Sequence, residues 1–357
     1  MNTLIPTPDT IPVAWGYFQF LLLLMFPLHL LLMNAMVGST AIAAYACLKR
    51  DGIWKRLAYE LAKIIPLLIA LAVNLGVAAL LFLQVLYGHF FYTSSVLMGA
   101  FWISVIPLLL LAYYGAYIFD FRFFALKHAA LAIILSTLVI FLFIAFVLSN
   151  NMTLMLNPDQ WSVYFKQPAG TVLNLADPAL PPRYLHFIVG GLAVGGLFVA
   201  LFSRLKRTME ADVRAAAENI GMKVFTLLTG VQIVVGFWFL ISLPRKVMVL
   251  FMGGNVLATV FFFAGLSLAL SALVAATKRK VYACAWLVVP LIYVMSVMRD
   301  FVRTGYLQPY FSPDSLQVVP QYSPMLMFFF VLVAGLVTIV WLLRKAFGSF
   351  SKVEAKD

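Results

Sequence analysis

Nine stretches of the chain are long and apolar enough to cross a bilayer, roughly 15–47, 62–87, 96–119, 128–149, 184–203, 221–243, 247–276, 281–299 and 323–343. A spanning helix needs about 20 mostly apolar residues. Hydrocarbon offers backbone groups no water to bond, so each stretch must satisfy its own as a helix. The expected fold is therefore all-α: a polytopic membrane bundle of about nine transmembrane helices, one integral-membrane domain over 1–357. A four-helix part covers about 15–150, an outer loop 150–183 and a five-helix part about 184–343. Composition agrees. The chain is 64% hydrophobic and 11% charged, against about 25% charged in a soluble domain. The first fifteen residues lack the basic n-region of a cleavable signal, so the first stretch reads as a span. Cys47 and Cys284 stand far apart in apolar surroundings and read as packing residues.

Charge sets the expected orientation. Of 25 Lys and Arg residues, six fall in the segments on the N-terminal side: Lys166, Arg183, Arg245, Lys246, Arg299 and Arg303. The other nineteen fall in the opposite segments, among them Lys49, Arg50, Arg204, Lys352 and Lys356. Basic residues gather on the cytoplasmic side, so the N-terminus is expected outside and the C-terminus inside. The net charge of +12 is mostly this bias, with affinity for anionic lipid, and calls for no nucleic acid. The two longest outer segments, 150–183 and 300–322, mark the outer face as the working face. Asn151-Met152-Thr153 matches a glycosylation sequon.

The thirteen acidic residues all fall at or beyond the ends of these stretches, Asp300 at the outer end of the eighth. Proton-coupled transporters commonly carry carboxylates or histidines within the bilayer, so this pattern disfavours ion-coupled transport. The buried polar residues with chemistry are then the histidines. His89, in the presumed outer turn "YGHFFYTSS", and His128, at the start of the fourth span, read as interfacial. His29 and His186 lie in the outer halves of helices with no acidic partner. A buried polar group needs a partner, and a heme iron is one. In "PPRYLHFIVGGLAVGG" (181–196) the glycines at 190, 191, 195 and 196 either make room for a porphyrin or allow close helix packing; spacing alone supports both.

These segments resemble subunit I of cytochrome bd quinol oxidase. "QFLLLLMFPLHLLLMNAMVG" resembles that family's first helix, in which a histidine is followed nine residues later by glycine, as His29 is by Gly38. "VLSNNMTLMLNP" resembles the end of its fourth helix, "PPRYLHFIVGGLAVGG" its fifth, "FMGGNV" its seventh, and "RDFVRTGYLQPY" the end of its eighth. The resemblance implies b-type heme held by His186 and Met252, with Met248 in reserve, and a second heme held by His29. Arg183, Arg299 and Arg303 are the expected partners of heme propionates, an arginine fork being suited to carboxylates. It further implies quinol as substrate, the bacterial inner membrane as location, and as partners an outer-face c-type cytochrome or a second membrane subunit.

The chain also departs from that family. Its third span, "SSVLMGAFWISVIPLLLLAYYGAY", holds no glutamate, only Asp300 is available to replace the family's eighth-helix glutamate ligand, and the outer quinol loop shrinks to about residues 243–249. The expected function is thus a membrane b-type cytochrome subunit that exchanges electrons between quinol and an outer redox partner. The alternatives are a quinol:oxygen oxidoreductase with substituted ligands and a cofactor-free transporter or scaffold.

Overall fold

The computed structural model describes residues 4–49 and 51–354, with side chains described to Lys345. Arg50 and Lys356, and the side chain of Lys352, lie outside that range. Twelve helices follow in order: α1 (Trp15–Lys49), α2 (Gly52–Ala62), α3 (Ile65–Leu97), α4 (Gly99–Phe121), α5 (Phe123–Leu126), α6 (Ala129–Met155), α7 (Leu180–Leu205), α8 (Ala211–Ser242), α9 (Arg245–Met248), α10 (Val256–Thr277), α11 (Val281–Leu307) and α12 (Tyr322–Glu354). Among the described residues nine spans are long and apolar enough to cross a membrane, α2 and α3 counting as one. The all-α membrane bundle is as expected. Large apolar side chains such as Trp286, Phe121 and Ile103 face outward, as lipid-facing residues must.

Two boundaries differ from the sequence reading. The stretch "YGHFFYTSS" is helix, not turn: α3 bends at Tyr87 (φ −132°, ψ 26°) and runs on to Leu97. Phe90 and Phe91 are fully buried against Leu154, Met155 and Trp161, and that burial outweighs the helix-weakening Gly88. At the other end, α11 extends to Leu307, so Asp300 and Arg303 belong to the helix and not to an outer loop. The loop end of the bundle is closed by 158–165 in a 3-10 turn and by an isolated backbone bridge of Ile11 with Val318 (Ile11 N–H to Gln317 O, 2.9 Å). Tyr310 donates to Asp159 there at 2.7 Å. Burial, and then that carboxylate, push its phenol up to about 12, so it stays a donor throughout the physiological range.

The opposite, basic end is held by ion pairs. Arg204 grips Glu218 (2.6 Å), Glu60 accepts from Lys63 and Lys206, and Arg56 meets Glu210 and Asp212. These join α2, α7 and α8, but half-exposed pairs contribute little each.

What positions the middle of the bundle is backbone contact. α1 packs on both halves, against α3 and α7, and α7 packs along α8. At the α1–α7 crossing Gly38 lies against Gly195, so close that a Cβ on either would collide with the other's backbone. A Cβ on Gly196 would lie 2.8 Å from the carbonyl oxygen of Gly221 on α8. Small residues let helices approach where lipid supplies no hydrophobic drive. Gly195 and Gly196 are therefore packing glycines. Gly195→Leu is expected to cost about 3 kcal/mol or more, through overpacking of a crossing that cannot yield. Gly230→Ala, with open space around it, should be neutral or slightly stabilising. Thermal unfolding of the two variants in detergent checks the contrast; equal melting temperatures would contradict it.

Candidate functional site

α7 begins where Asp177 accepts the Ala179 N–H (2.8 Å) and prolines at 181 and 182 occupy the first turn, where their missing N–H groups matter least. From that start Arg183, His186, Gly190 and Gly191 fall on one helical face. They line an elongated cleft between α7 and α8 on one side, α10 and α11 on the other, and α1. Along α11 its lining runs from Val302 to Val288, about 21 Å at 1.5 Å per residue. Most of the wall is apolar, with Phe225, Phe239, Leu266 and Ile292 among its residues.

His186 stands in this wall. Its Nδ1 is buried without a hydrogen-bond partner, and its ring lies 6.0 Å from that of Phe239. α8 leaves it space: a Cβ on Gly236 would sit 3.2 Å from the imidazole Cε1. Two guanidinium groups line the cleft towards its loop end. Arg183, 5% exposed, lies over the Phe239 ring at 5.3 Å, and its Nε has no partner. Arg299 lies over Phe26 at 4.3 Å and points a nitrogen at the Met152 sulfur, 3.0 Å away. Neither makes an ion pair among the described residues. Arg183 is bonded to Tyr306 and has Asp177 nearby, and Arg299 has Asp300 nearby, without direct ion pairs. A buried cation so incompletely compensated is costly, so both groups suit an anion in the cleft.

The other predicted residues sit elsewhere. Arg303 is buried in an ion pair with Asp300, over the Tyr87 ring at 4.5 Å, and does not line the cleft. Asp300 also accepts from Gln19 (2.7 Å). His29 faces α3 rather than the cleft: its Nδ1 donates to the Ala72 carbonyl (2.8 Å), and Gly76 clears room for the ring. That bond fixes the ring and leaves Nε2 as the basic nitrogen, the usual arrangement behind a ligating histidine. Met252 is not brought to His186. It is 53% exposed on a 3-10 turn whose inward residue is Phe251, and Met248 packs half-buried in the cluster beside it. The thioethers that do line the cleft are Met295 and Met298 of α11, on the helical face that carries Arg299. That i, i+3, i+4 spacing was the signal available in the sequence.

The His89 ring packs at a tilt on Phe90 and edge-on to Phe311, and His128 is exposed at the start of α6. Asn151 is fully buried and bonded to Ser94 and Ser95, so the sequon at 151–153 is closed to glycosylation in the folded chain. Among the described residues no three His, Cys, Asp or Glu side chains cluster as a bare metal site. No protein-family model matches this chain, and no curated protein is significantly similar to it.

Among the described residues Asp300 is the one carboxylate in an ion pair with Arg303, so Asp300→Asn should destabilise the protein by about 3 kcal/mol, the usual cost of stranding a buried charge. The double variant Asp300→Leu/Arg303→Met, which removes both charges, should recover most of that loss. Chemical denaturation in detergent measures both; a silent Asp300→Asn would show that the pair carries no such role.

Proposed function

We propose that the chain is a membrane b-type cytochrome subunit that carries electrons between membrane quinol and a redox partner at the outer face. One observation carries the reading: an apolar cleft presents the imidazole of His186, its Nδ1 unpartnered, about one turn below two guanidinium groups, Arg183 and Arg299, that make no ion pair among the described residues. Those donors fit heme. His186 would take the iron, the two arginines the propionates, and the apolar walls the macrocycle. Bound heme supplies a one-electron ferric–ferrous couple. The chain's part is to hold, orient and desolvate it.

His29, with its ring fixed by the Ala72 carbonyl, suits a second heme at a separate place beside α3. Asp300 is held by Arg303 and Gln19, so it is not free to replace a ligand at an oxygen-reducing centre. The basic end of the bundle as the inner end supports an N-out, C-in orientation. In that orientation the cleft's arginines would lie near the outer face, within reach of a c-type cytochrome or similar partner. α12, none of whose described side chains is buried, leaves a full helix surface to lipid or to a second membrane subunit.

Replacing His186 with Ala should abolish the low-spin heme signal while the protein still inserts, because the helix becomes more apolar. Arg183→Leu combined with Arg299→Leu should lower heme retention about tenfold or more, as lost charge-assisted bonds do. Reduced-minus-oxidised spectra of the membrane-extracted variants provide the check. An unchanged low-spin spectrum in His186→Ala would refute the assignment.

A further inference from the structure

One turn further into the membrane than His186, the cleft changes character. Asn34 of α1 and Thr229 of α8 both line it, and each is only 7% exposed. Neither side chain has a hydrogen-bond partner among the described residues. Gln232 of α8 donates its amide to the His186 carbonyl (2.9 Å), but its Oε1 is buried with no donor. The glycines at 190 and 191 make this arrangement possible. A Cβ at Gly190 would sit 2.9 Å from Gln232 Nε2, and one at Gly191 would sit 3.2 Å from Asn34 Oδ1. Two amides and a hydroxyl thus converge on one level of the cleft, about 10 to 13 residues in from the α8 end at Ser242.

Neutral polar groups left unpaired in hydrocarbon are costly. The shape of the cost describes the missing partner. It must be neutral, because no charge lies at this level. It must both accept, from the Asn34 amide and the Thr229 hydroxyl, and donate, to the Gln232 oxygen. Towards the basic end the cleft holds no polar group at all: Ala193, Ala269, Ala272, Val288 and Leu291 line it. The partner therefore has a head bearing carbonyl or hydroxyl oxygens and an apolar chain that runs on towards the inner leaflet.

We infer that this level is the binding site for the ring of a prenylated quinone or quinol, with its tail in the apolar inner end. The oxidised ring offers carbonyl acceptors and the reduced ring offers hydroxyl donors, which matches a mixed set of amide and hydroxyl groups. The inference deepens the electron-transfer reading by giving the quinol a place one turn from His186, where the shortened 243–249 connection offers none. It rests on that reading for its role but on different residues for its chemistry.

The test is calorimetric titration of the delipidated full-length protein with a decyl-tailed benzoquinone. Saturable binding to one site is expected. Asn34→Leu should weaken it about tenfold, the effect of one lost hydrogen bond of about 1.4 kcal/mol, and Gln232→Leu, which removes the acceptor Oε1, should weaken binding of the reduced, hydroxyl-bearing form by the same factor. The near-isosteric Thr229→Val, which keeps the packing, should weaken it in the same direction. A tail-free benzoquinone should bind at least tenfold more weakly than the decyl form. His128→Ala, at an exposed position at the start of α6 and away from the cleft, should leave the quinone affinity within about twofold. Protein that binds the quinone yet carries no heme would overturn the cytochrome reading alone. Protein that carries heme but binds no quinone would overturn this site alone. Equal affinity in the wild type and all three belt variants, or a cleft filled by phospholipid that the quinone does not displace, also overturns it.

Discussion

The contact of α1 with α7 at Gly38 and Gly195 governs everything between that crossing and the loop end. Backbones that touch cannot slide without collision, so the two helices are fixed at that point. That register brings Asn34 of α1 against Gly191 of α7, with Phe26 and His186 both lining the cleft. α8 is set against α7 by the second glycine contact, Gly196 with Gly221. The cleft is the space left when α10 and α11, which pack chiefly on each other, close against that three-helix wedge. Membrane helices gain little from burying apolar surface against one another, so such steric locks are what hold a cavity open.

Inside that cavity the polar groups are graded along the membrane normal. Unpaired cations lie towards the loop end, an imidazole one turn below, neutral amides and a hydroxyl another turn below, and only apolar side chains beyond. Each of these groups is expensive in hydrocarbon unless a ligand answers it. Where the chain has no use for an exposed charge it neutralises it internally, as Asp300 does for Arg303. The difference between Arg303, in its ion pair, and Arg183 and Arg299, which make none, is what supports the proposal that the cleft binds a ligand.

Much of the architecture was legible in the sequence because hydrocarbon imposes a long, monotonous signal: twenty apolar residues in a row leave few alternatives to a helix. Helix ends were harder. α3 runs past Gly88, and α11 runs past Asp300, because tertiary burial of Phe90, Phe91 and Arg303 overrides residues that locally favour a turn. The prominence of His186 and Arg183 was readable, since one helical face collects them. Met252 drew attention as part of a short motif, yet its turn directs Phe251 inward and leaves the sulfur outside. Asn34, Thr229 and Gln232 are not legible as a site because neutral side chains in apolar spans look like ordinary helix-pairing groups, and nothing in the sequence tells that Asn34, Thr229 and the Gln232 oxygen lack a partner. The four glycines divide by neighbour, a property of the fold: 195 and 196 meet backbone, while 190 and 191 meet amides.

The central claim is that the cleft holds heme by non-covalent bonds. A pyridine hemochrome assay on the purified chain, expressed with adequate heme supply, tests it most directly. The account predicts protoheme at one or more equivalents per chain, extractable by acidic solvent because no Cys-x-x-Cys-His attachment motif occurs in the sequence. A well-folded, colourless protein that yields no protoheme would contradict it.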